Sequence, residues 1–361
     1  MDKFKFHLNR MGSDPEALFV KPIDFDWTIT PAYEILGRDK AKTTHSFIGT
    51  DSRPVLMEIR PNPTRNLKQH LYEIAYALNR AQEYLDQSTK FKGLQIMAYP
   101  HLLGENLGGH IHVSGFLRGP IYEKMKEANF SFQQPSNPGF IPYNPNVPIP
   151  KKPGFQNEIV EMMQEGSIVH PMAWAQIMHY MLEPFEKWIM PWVPREQRNG
   201  QYGGPDHPDV VRLGVSKPPK YPHKGLYVHW EYRMPSSWLQ HPWLAFAYLG
   251  LAKLIALNTP EVAALVDLKR ERKDSGNDEM ANAVPAGGGP VTTFHAVKGG
   301  DPTHHGKVFR ERLARVMTTK PRFSNDIKGL LDVVMRCGGE REAFFNRPKA
   351  VNIAAWRRLL G

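Results

Sequence analysis

His229-Trp230-Glu231-Tyr232-Arg233, running on into Met234-Pro235-Ser236-Ser237, is the stretch whose reading decides the fold. As a strand it sends successive side chains to opposite faces. His229, Glu231 and Arg233 then share one face, while Val228, Trp230, Tyr232 and Met234 make an apolar face for a core. Two other stretches follow the same plan. In Val55 to Arg60, Val55, Met57 and Ile59 face the core and Glu58 and Arg60 point away. In His110 to Val113, His110 and His112 lie opposite Ile111 and Val113. Each strand carries ionisable residues two apart, about 7 Å along the chain. If the three belong to one sheet, its polar face holds two carboxylates, three histidines and two arginines. A merely solvated face favours Lys, Thr and Gln; this mixture suits cations and phosphate.

Working outward, Gly12-Ser13-Asp14-Pro15-Glu16 has a turn-like composition. Pro15 disfavours a helical Asp14, which predicts extended chain with Asp14 and Glu16 on one side. A helix start with Pro at its first position is the competing reading. Residues 45–61 read as strand, Gly49-Thr50-Asp51-Ser52 turn and strand. Leu67, Leu71, Ile74, Leu78, Ala81 and Leu85 then form one helical stripe, capped by Thr64 or Asn66. Gly93 to Tyr99 is a further strand candidate, and Gly108-Gly109 opens the His110 strand. Residues 131–153 hold seven prolines, which predicts a long loop, either a lid or a plain surface excursion. Helices are expected from Pro171 to Met190, from His241 to Leu257 and from Thr259 to Leu268. Between the first two lies a Gly- and Pro-rich segment, 194–222, with Arg195, Arg198, Arg212, Lys217 and Lys220. Residues 269–300 read as a mobile loop. Helices return around Val308 to Val316, Asp326 to Met335 and Ala350 to Leu360.

The chain has 361 residues, enough for one large domain or two ordinary ones. Its 41% hydrophobic and 23% charged content is that of a globular protein without a membrane span. Cys337 stands alone, so neither an intrachain disulfide nor a cysteine metal site is possible. The N-terminus lacks an apolar signal core, and a cytoplasmic location is expected. A net charge of +10, with pI near 9.5, favours anionic partners, among them nucleic acid and other polyanions.

The chemistry points first to metal. Asp14, Glu16, Asp51, Glu58 and Glu231 are oxygen donors suited to Mg²⁺ or Mn²⁺, and His110-x-His112 offers imidazole nitrogen. A zinc hydrolase with two histidines and a glutamate is an open alternative. The arginines beside the carboxylates favour phosphate, which Arg binds bidentately. Walker, dinucleotide-binding and nucleophile-elbow signatures are all missing.

The ordered set Asp14-Pro15-Glu16, Glu58-Ile59-Arg60-Pro61, Gly109-His110-Ile111-His112, an Arg/Gly loop and Glu231-Tyr232-Arg233 resembles the glutamine synthetase-like superfamily. More narrowly it resembles the phage type of carboxylate–amine ligases, whose members open with Gly-x-Asp-Pro-Glu. The resemblance spans roughly residues 10–240. It implies a curved antiparallel sheet holding divalent cations, with ATP bound across it. Asp14 and Glu16 match the opening carboxylate pair, Glu58 the central strand and Asp51 a further metal ligand. His110 matches a metal ligand and His112 a residue near the ATP phosphates. Glu231 matches the last metal ligand and Arg233 a phosphate or substrate clamp. Arg198 and Arg212, around Tyr202-Gly203-Gly204, would neutralise the transferring phosphate, and Arg60 joins them as a catalytic arginine. Asp14 stands where synthetases commonly carry Glu, as in the phage type. The Pro-rich insertion and the region after about residue 260 have no counterpart.

The expected fold is therefore α+β, a curved and mainly antiparallel sheet with helices on one face, like the glutamine synthetase catalytic domain. Residues 1–260 would form the ligase core, with a Pro-rich insertion at 129–156, and 261–361 a flexible loop and helical extension. The expected activity is ATP- and Mg²⁺- (or Mn²⁺-) dependent joining of a small-molecule or peptide carboxylate to an amine through an acyl phosphate. The alternatives are a divalent-metal-dependent hydrolase or nuclease on the same face, and a non-catalytic nucleic-acid-associated phage protein.

Overall fold

Strand β1 (Lys5–Ile23) is 19 residues long and is the spine of the computed structural model, which describes residues 5–23, 26–37, 47–50, 55–99, 101–118, 171–190, 211–216, 226–263, 265, 302–345 and 349–361. Gly12-Ser13-Asp14-Pro15-Glu16 lies inside this strand, so the extended reading holds and the helical one does not. Its turn-forming residues are overridden by pairing on both edges. Pro15 sits between the Met11–Thr64 bridge and the Glu16–Glu58 pair.

Around β1 the described residues build one open, antiparallel sheet of eight strands. Its partners are β2 (Asp26–Thr30), β3 (Ile48–Thr50), β4 (Met57–Ile59), β5 (Gln95–Met97), β8 (Gly109–Arg118), β9 (Val211–Ser216) and β10 (Leu226–Tyr232). The main order is β3-β4-β1-β8-β10-β9, with β2 and β5 added to the far half of β1. A separate hairpin, β6 (His101–Leu102) with β7 (Glu105–Asn106), leads into β8. The expected strand at 93–99 is β5. The Gly- and Pro-rich segment 194–222, expected as loop, contains the sheet-edge strand β9; pairing with β10 supplies what its composition conceals. The short helix α1 (Ala32–Leu36) was also not anticipated.

Helices cover the apolar face. Helix α2 (Leu67–Gln87) buries the whole expected stripe, and the Asn66 side chain caps it by accepting from the Lys68 and Gln69 amides. Helix α3 (Pro171–Ile189) lies behind β9 and β10 and carries Pro184 within it. Helix α4 (Pro242–Leu257) is apolar nearly all round and buried accordingly. Its one charged residue, Lys253, ends on Asp326 Oδ2 at 2.6 Å and on the Arg65 carbonyl at 2.7 Å. The same Asp326 oxygen accepts the Leu67 amide, so a buried ion pair fixes where α2 begins. After α5 (Thr259–Ala263) come α6 (Pro302–Thr318), a 3₁₀ turn (Asn325–Ile327), α7 (Leu330–Gly339), α8 (Arg341–Phe345) and α9 (Ile353–Arg357). They pack on α3, α4 and α2, and one core runs from Met11 to Trp356. The Trp188 ring wedges against Gly306 and Gly338, where a Cβ would come within 2.7 Å and 2.0 Å of it.

His70 falls on the apolar stripe of α2 and is buried behind the sheet. Its Nδ1–H donates to the Asn62 carbonyl, and its Nε2, 2.8 Å away, accepts from Ser13 Oγ. Burial holds this imidazole down at about 4, with His112 adding to the effect against the Asn62 bond. His241, which accepts the Trp243 amide as the cap of α4, is held at about 4 by burial and by Arg358. An unfolded chain binds protons to both near pH 6.5, before the folded chain does. The stabilising contribution of these two histidines is therefore fully present above about pH 6.5 and falls as pH drops towards 4, with about 3 kcal/mol at stake for His70 alone. Urea unfolding at pH 7 and pH 5 should show this loss, and His70→Gln should reduce the pH dependence.

The Pro-rich insertion at 129–156, the loop at 269–300, Asp51 and Arg198 lie outside the described residues.

Candidate active site on the polar face of the sheet

Register brings the polar side chains together. Asp14 on β1 pairs with His110 on β8, and Gly12 with His112. On the far side of β8, His112 pairs with Glu231 on β10, and Glu231 with Arg212 on β9. On the other flank Glu16 pairs with Glu58 on β4. Directly opposed residues of antiparallel strands share a face, as do residues two apart. Asp14, Glu16, Glu58, His110, His112 and Glu231 thus converge on one side. Met11, Ser13, Ala17, Met57, Ile59, Ile111, Val113 and Tyr232 are buried on the other.

Two poles can be distinguished. At the first, His112 Nε2 lies 2.9 Å from Asp14 Oδ1, and His110 Nδ1 lies 3.4 Å from that oxygen and 3.7 Å from Glu231 Oε1. Asp14, His112 and Glu231 each present one donor atom, all within 4.8 Å of one another. Two carboxylate oxygens and an imidazole nitrogen fit Mn²⁺, Mg²⁺ or Zn²⁺. Arg233 Nε approaches Glu231 Oε1 at 3.2 Å. At the second pole two carboxylates, Glu16 and Glu58, stand directly opposite each other, an arrangement that repels. Arg60 relieves it by pairing with Glu58 while donating to the Thr50 carbonyl at 2.7 Å. The Gly108 amide donates to Glu16 Oε2 at 2.6 Å.

The charges at the first pole are strongly coupled. Burial alone would raise Asp14, but His112 and then His110 hold it well below its ordinary value. Burial alone would lower both histidines, but Asp14 above all, with Glu231 and, for His110, Glu16, raises each to about 9. This balance of imidazolium against carboxylate keeps several buried charges on one face.

The supports come from behind and from one corner. Ser13, between Gly12 and Asp14, is held by His70 through the sheet. Tyr232, next to Glu231, places its hydroxyl 3.0 Å from His179 Nδ1 on α3; beyond it lie Glu183 at 2.7 Å and Lys187 at 3.1 Å. The chain after β10 turns back over the start of β8. Gly109 N donates to the Pro235 carbonyl, Ser237 Oγ to the Glu16 carbonyl at 2.6 Å, and Trp238 Nε1 to the Gly109 carbonyl at 3.0 Å.

Of the residues singled out from the sequence, Asp14, His112 and Glu231 form the tightest group, with His110 against it. Glu16, Glu58 and Arg60 form the second pole, and Arg233 borders the first. Arg212 is placed by its backbone opposite Glu231. His112, which the family resemblance puts near the ATP phosphates, sits among the metal-type donors. Ser237, Trp238 and His70 escaped notice as supports. Only His70 had a visible signal, a histidine on an apolar stripe.

Comparison with protein-family models found no match, and comparison with curated proteins found none. Solved structures that match this chain include two at low similarity. One is the complex between the prokaryotic ubiquitin-like protein Pup and its ligase PafA, at TM-score 0.46 and 10% identity over 93% of this chain and 65% of that one. The other is a bifunctional glutathione synthetase from Pasteurella multocida, at TM-score 0.40 and 13% identity over 98% of this chain and 48% of that one. The chain thus spans under two thirds of the length of either. The functional reading rests on the side chains of the site. No helix among the described residues is long and apolar enough to cross a membrane.

Proposed function

We propose that this chain is an ATP-dependent ligase that joins a carboxylate to an amine, built on a glutamine synthetase-like core at residues 1–260. The observation that carries the reading is the convergence of Asp14, His112 and Glu231 within 4.8 Å, beside the Glu16–Glu58 pair, with Arg60 and Arg233 at the margins. In this reading Asp14, His112 and Glu231 hold one divalent cation. Glu16 and Glu58, with His110 and Asp51 contributing, hold another. When bound, such cations neutralise phosphate oxygens. Arg233, Arg212, Arg198 and Arg60 bind and orient the phosphoryl group in transfer, and no covalent nucleophile from the protein is required.

The chemistry balances without a further reactant. A carboxylate oxygen of the acid attacks the γ-phosphorus of ATP, and the bond to ADP breaks. An amine then attacks the acyl phosphate carbon, inorganic phosphate leaves with the C–O bond, and the amine loses its proton to the medium. The acid and amine are small molecules or peptide groups. A panel of amino acids, peptides and polyanions, tested with Mg²⁺-ATP, should include a carboxylate that accelerates ADP and phosphate release. Formation of AMP and pyrophosphate would replace the acyl phosphate with an adenylate.

The imidazole in the Asp14–His112–Glu231 group gives a metal-dependent hydrolase or nuclease its support. Product formation without nucleotide, restored by Zn²⁺ to metal-stripped protein, would establish that reading instead.

A further inference from the structure

We propose that Gly108 is a positioning residue of this site: the lack of a side chain there seats the His110 imidazole against Asp14 and Glu231, while its amide holds the Glu16 carboxylate at the second pole. The inference rests on reading Asp14, His112 and Glu231 as a cation site. Gly108 comes just before β8 and bridges to Ser236, where the chain turns back after β10. Its amide donates to Glu16 Oε2 at 2.6 Å, and its carbonyl accepts the Glu16 amide at 2.9 Å.

The need for glycine comes from the imidazole and not from the backbone. Gly108 lies outside the left-handed region, so its φ does not call for glycine. A Cβ built on it would lie 2.5 Å from His110 Nε2, 3.0 Å from Cδ2 and 3.2 Å from Cε1. All three atoms belong to one buried ring, whose Nδ1 is 3.4 Å from Asp14 Oδ1 and 3.7 Å from Glu231 Oε1. The ring is thus held between the Gly108 backbone and two carboxylates of the first pole. Gly108 meets the first pole through this ring and the second through its amide.

A side chain at position 108 has to move that ring. The Gly108 backbone is tied to Glu16 on one side and to Ser236 on the other, and the Gly109 amide donates to the Pro235 carbonyl at 2.8 Å. Rotation of the His110 side chain is the cheaper response, because the clashing atoms are its far end. Gly109 is the opposite case, where backbone and a buried indole stand in the way. Alanine at 108 keeps the amide that holds Glu16. Its effect therefore falls on His110 and, through it, on the arrangement of Asp14 and Glu231. Changing a residue that orients metal ligands is worth about 10- to 100-fold in metal affinity.

The test compares the full chain with its Gly108→Ala variant by two measurements. In proton NMR of the metal-free protein, the imidazole signal that His110→Gln removes should shift in Gly108→Ala, while the signal that His70→Gln removes stays in place. In calorimetric titration, Mn²⁺ should bind Gly108→Ala about tenfold more weakly or worse, with the urea midpoint near that of the wild type. An unmoved His110 signal, Mn²⁺ affinity within about twofold of wild type, or loss of the fold in Gly108→Ala overturns the inference. Failure of the wild type to bind Mn²⁺ removes the cation-site reading beneath it and the positioning role with it; a displaced His110 signal then records packing alone.

Discussion

Glu231→Gln should lower turnover about a thousandfold or more while the protein stays folded. Glu231 is central to the first pole, opposite His112, close to His110 and beside Arg233. Glutamine keeps the shape and the buried volume and removes only the charge. The loss then falls on cation binding and on transition-state charge, where single electrostatic contributions are worth factors of about 10² to 10³. A cation at a hundred times its dissociation constant should stabilise the wild type by about 2.7 kcal/mol. Mn²⁺ should therefore raise the melting temperature of the wild type and leave that of Glu231→Gln nearly unmoved. A variant that keeps turnover within tenfold of wild type, with its Mn²⁺ response intact, would remove Glu231 from the site.

A large loss of stability is expected from Gly109→Ala. A Cβ at this position would lie 2.4 Å from the Ser236 carbonyl oxygen and 2.6 Å from the Trp238 ring. Neither neighbour can give way cheaply. Ser236 is backbone on a segment tied down at Pro235 and Ser237, and Trp238 is fully buried with its indole N–H on the Gly109 carbonyl. The cost should be about 3 kcal/mol or more, at the upper end for overpacking. Urea denaturation measures it, and Gly12→Ala, with 3.4 Å of clearance, is the control expected to unfold like wild type. Equal midpoints for the two variants would mean that the corner over β8 is not held as described.

These positions also show what the sequence reveals and what it hides. The stripe of α2 is legible because all its members face one core at helical spacing, and the polar face because strand alternation has period two. Both are local properties. Asp14, Glu16, Glu58, His110 and Glu231 could be placed on a common face for that reason. Which histidine joins Asp14 and Glu231 depends on the register between β1, β8 and β10, which no local pattern carries. Gly12 pairs with His112, whose Nε2 lies 2.9 Å from Asp14 Oδ1. Strand β9 was hidden by Gly214 and its Pro-rich surroundings, because the hydrogen bonds that make it a strand come from β10. The Ser13–His70 link joins residues 57 apart, and the Ser237–Glu16 link residues 221 apart. Such supports become visible only once the chain is folded.

The most direct measurement is product analysis with hydroxylamine in place of the amine. The protein is incubated with Mg²⁺-ATP, hydroxylamine and the acid panel, and hydroxamate and ADP are quantified together. An activated acyl group is captured by hydroxylamine, so the ligase account predicts hydroxamate and ADP in equal amounts for at least one acid, and neither with Glu231→Gln. Metal-loaded protein that binds ATP yet yields no hydroxamate across the panel, or forms product equally well without nucleotide, would contradict it.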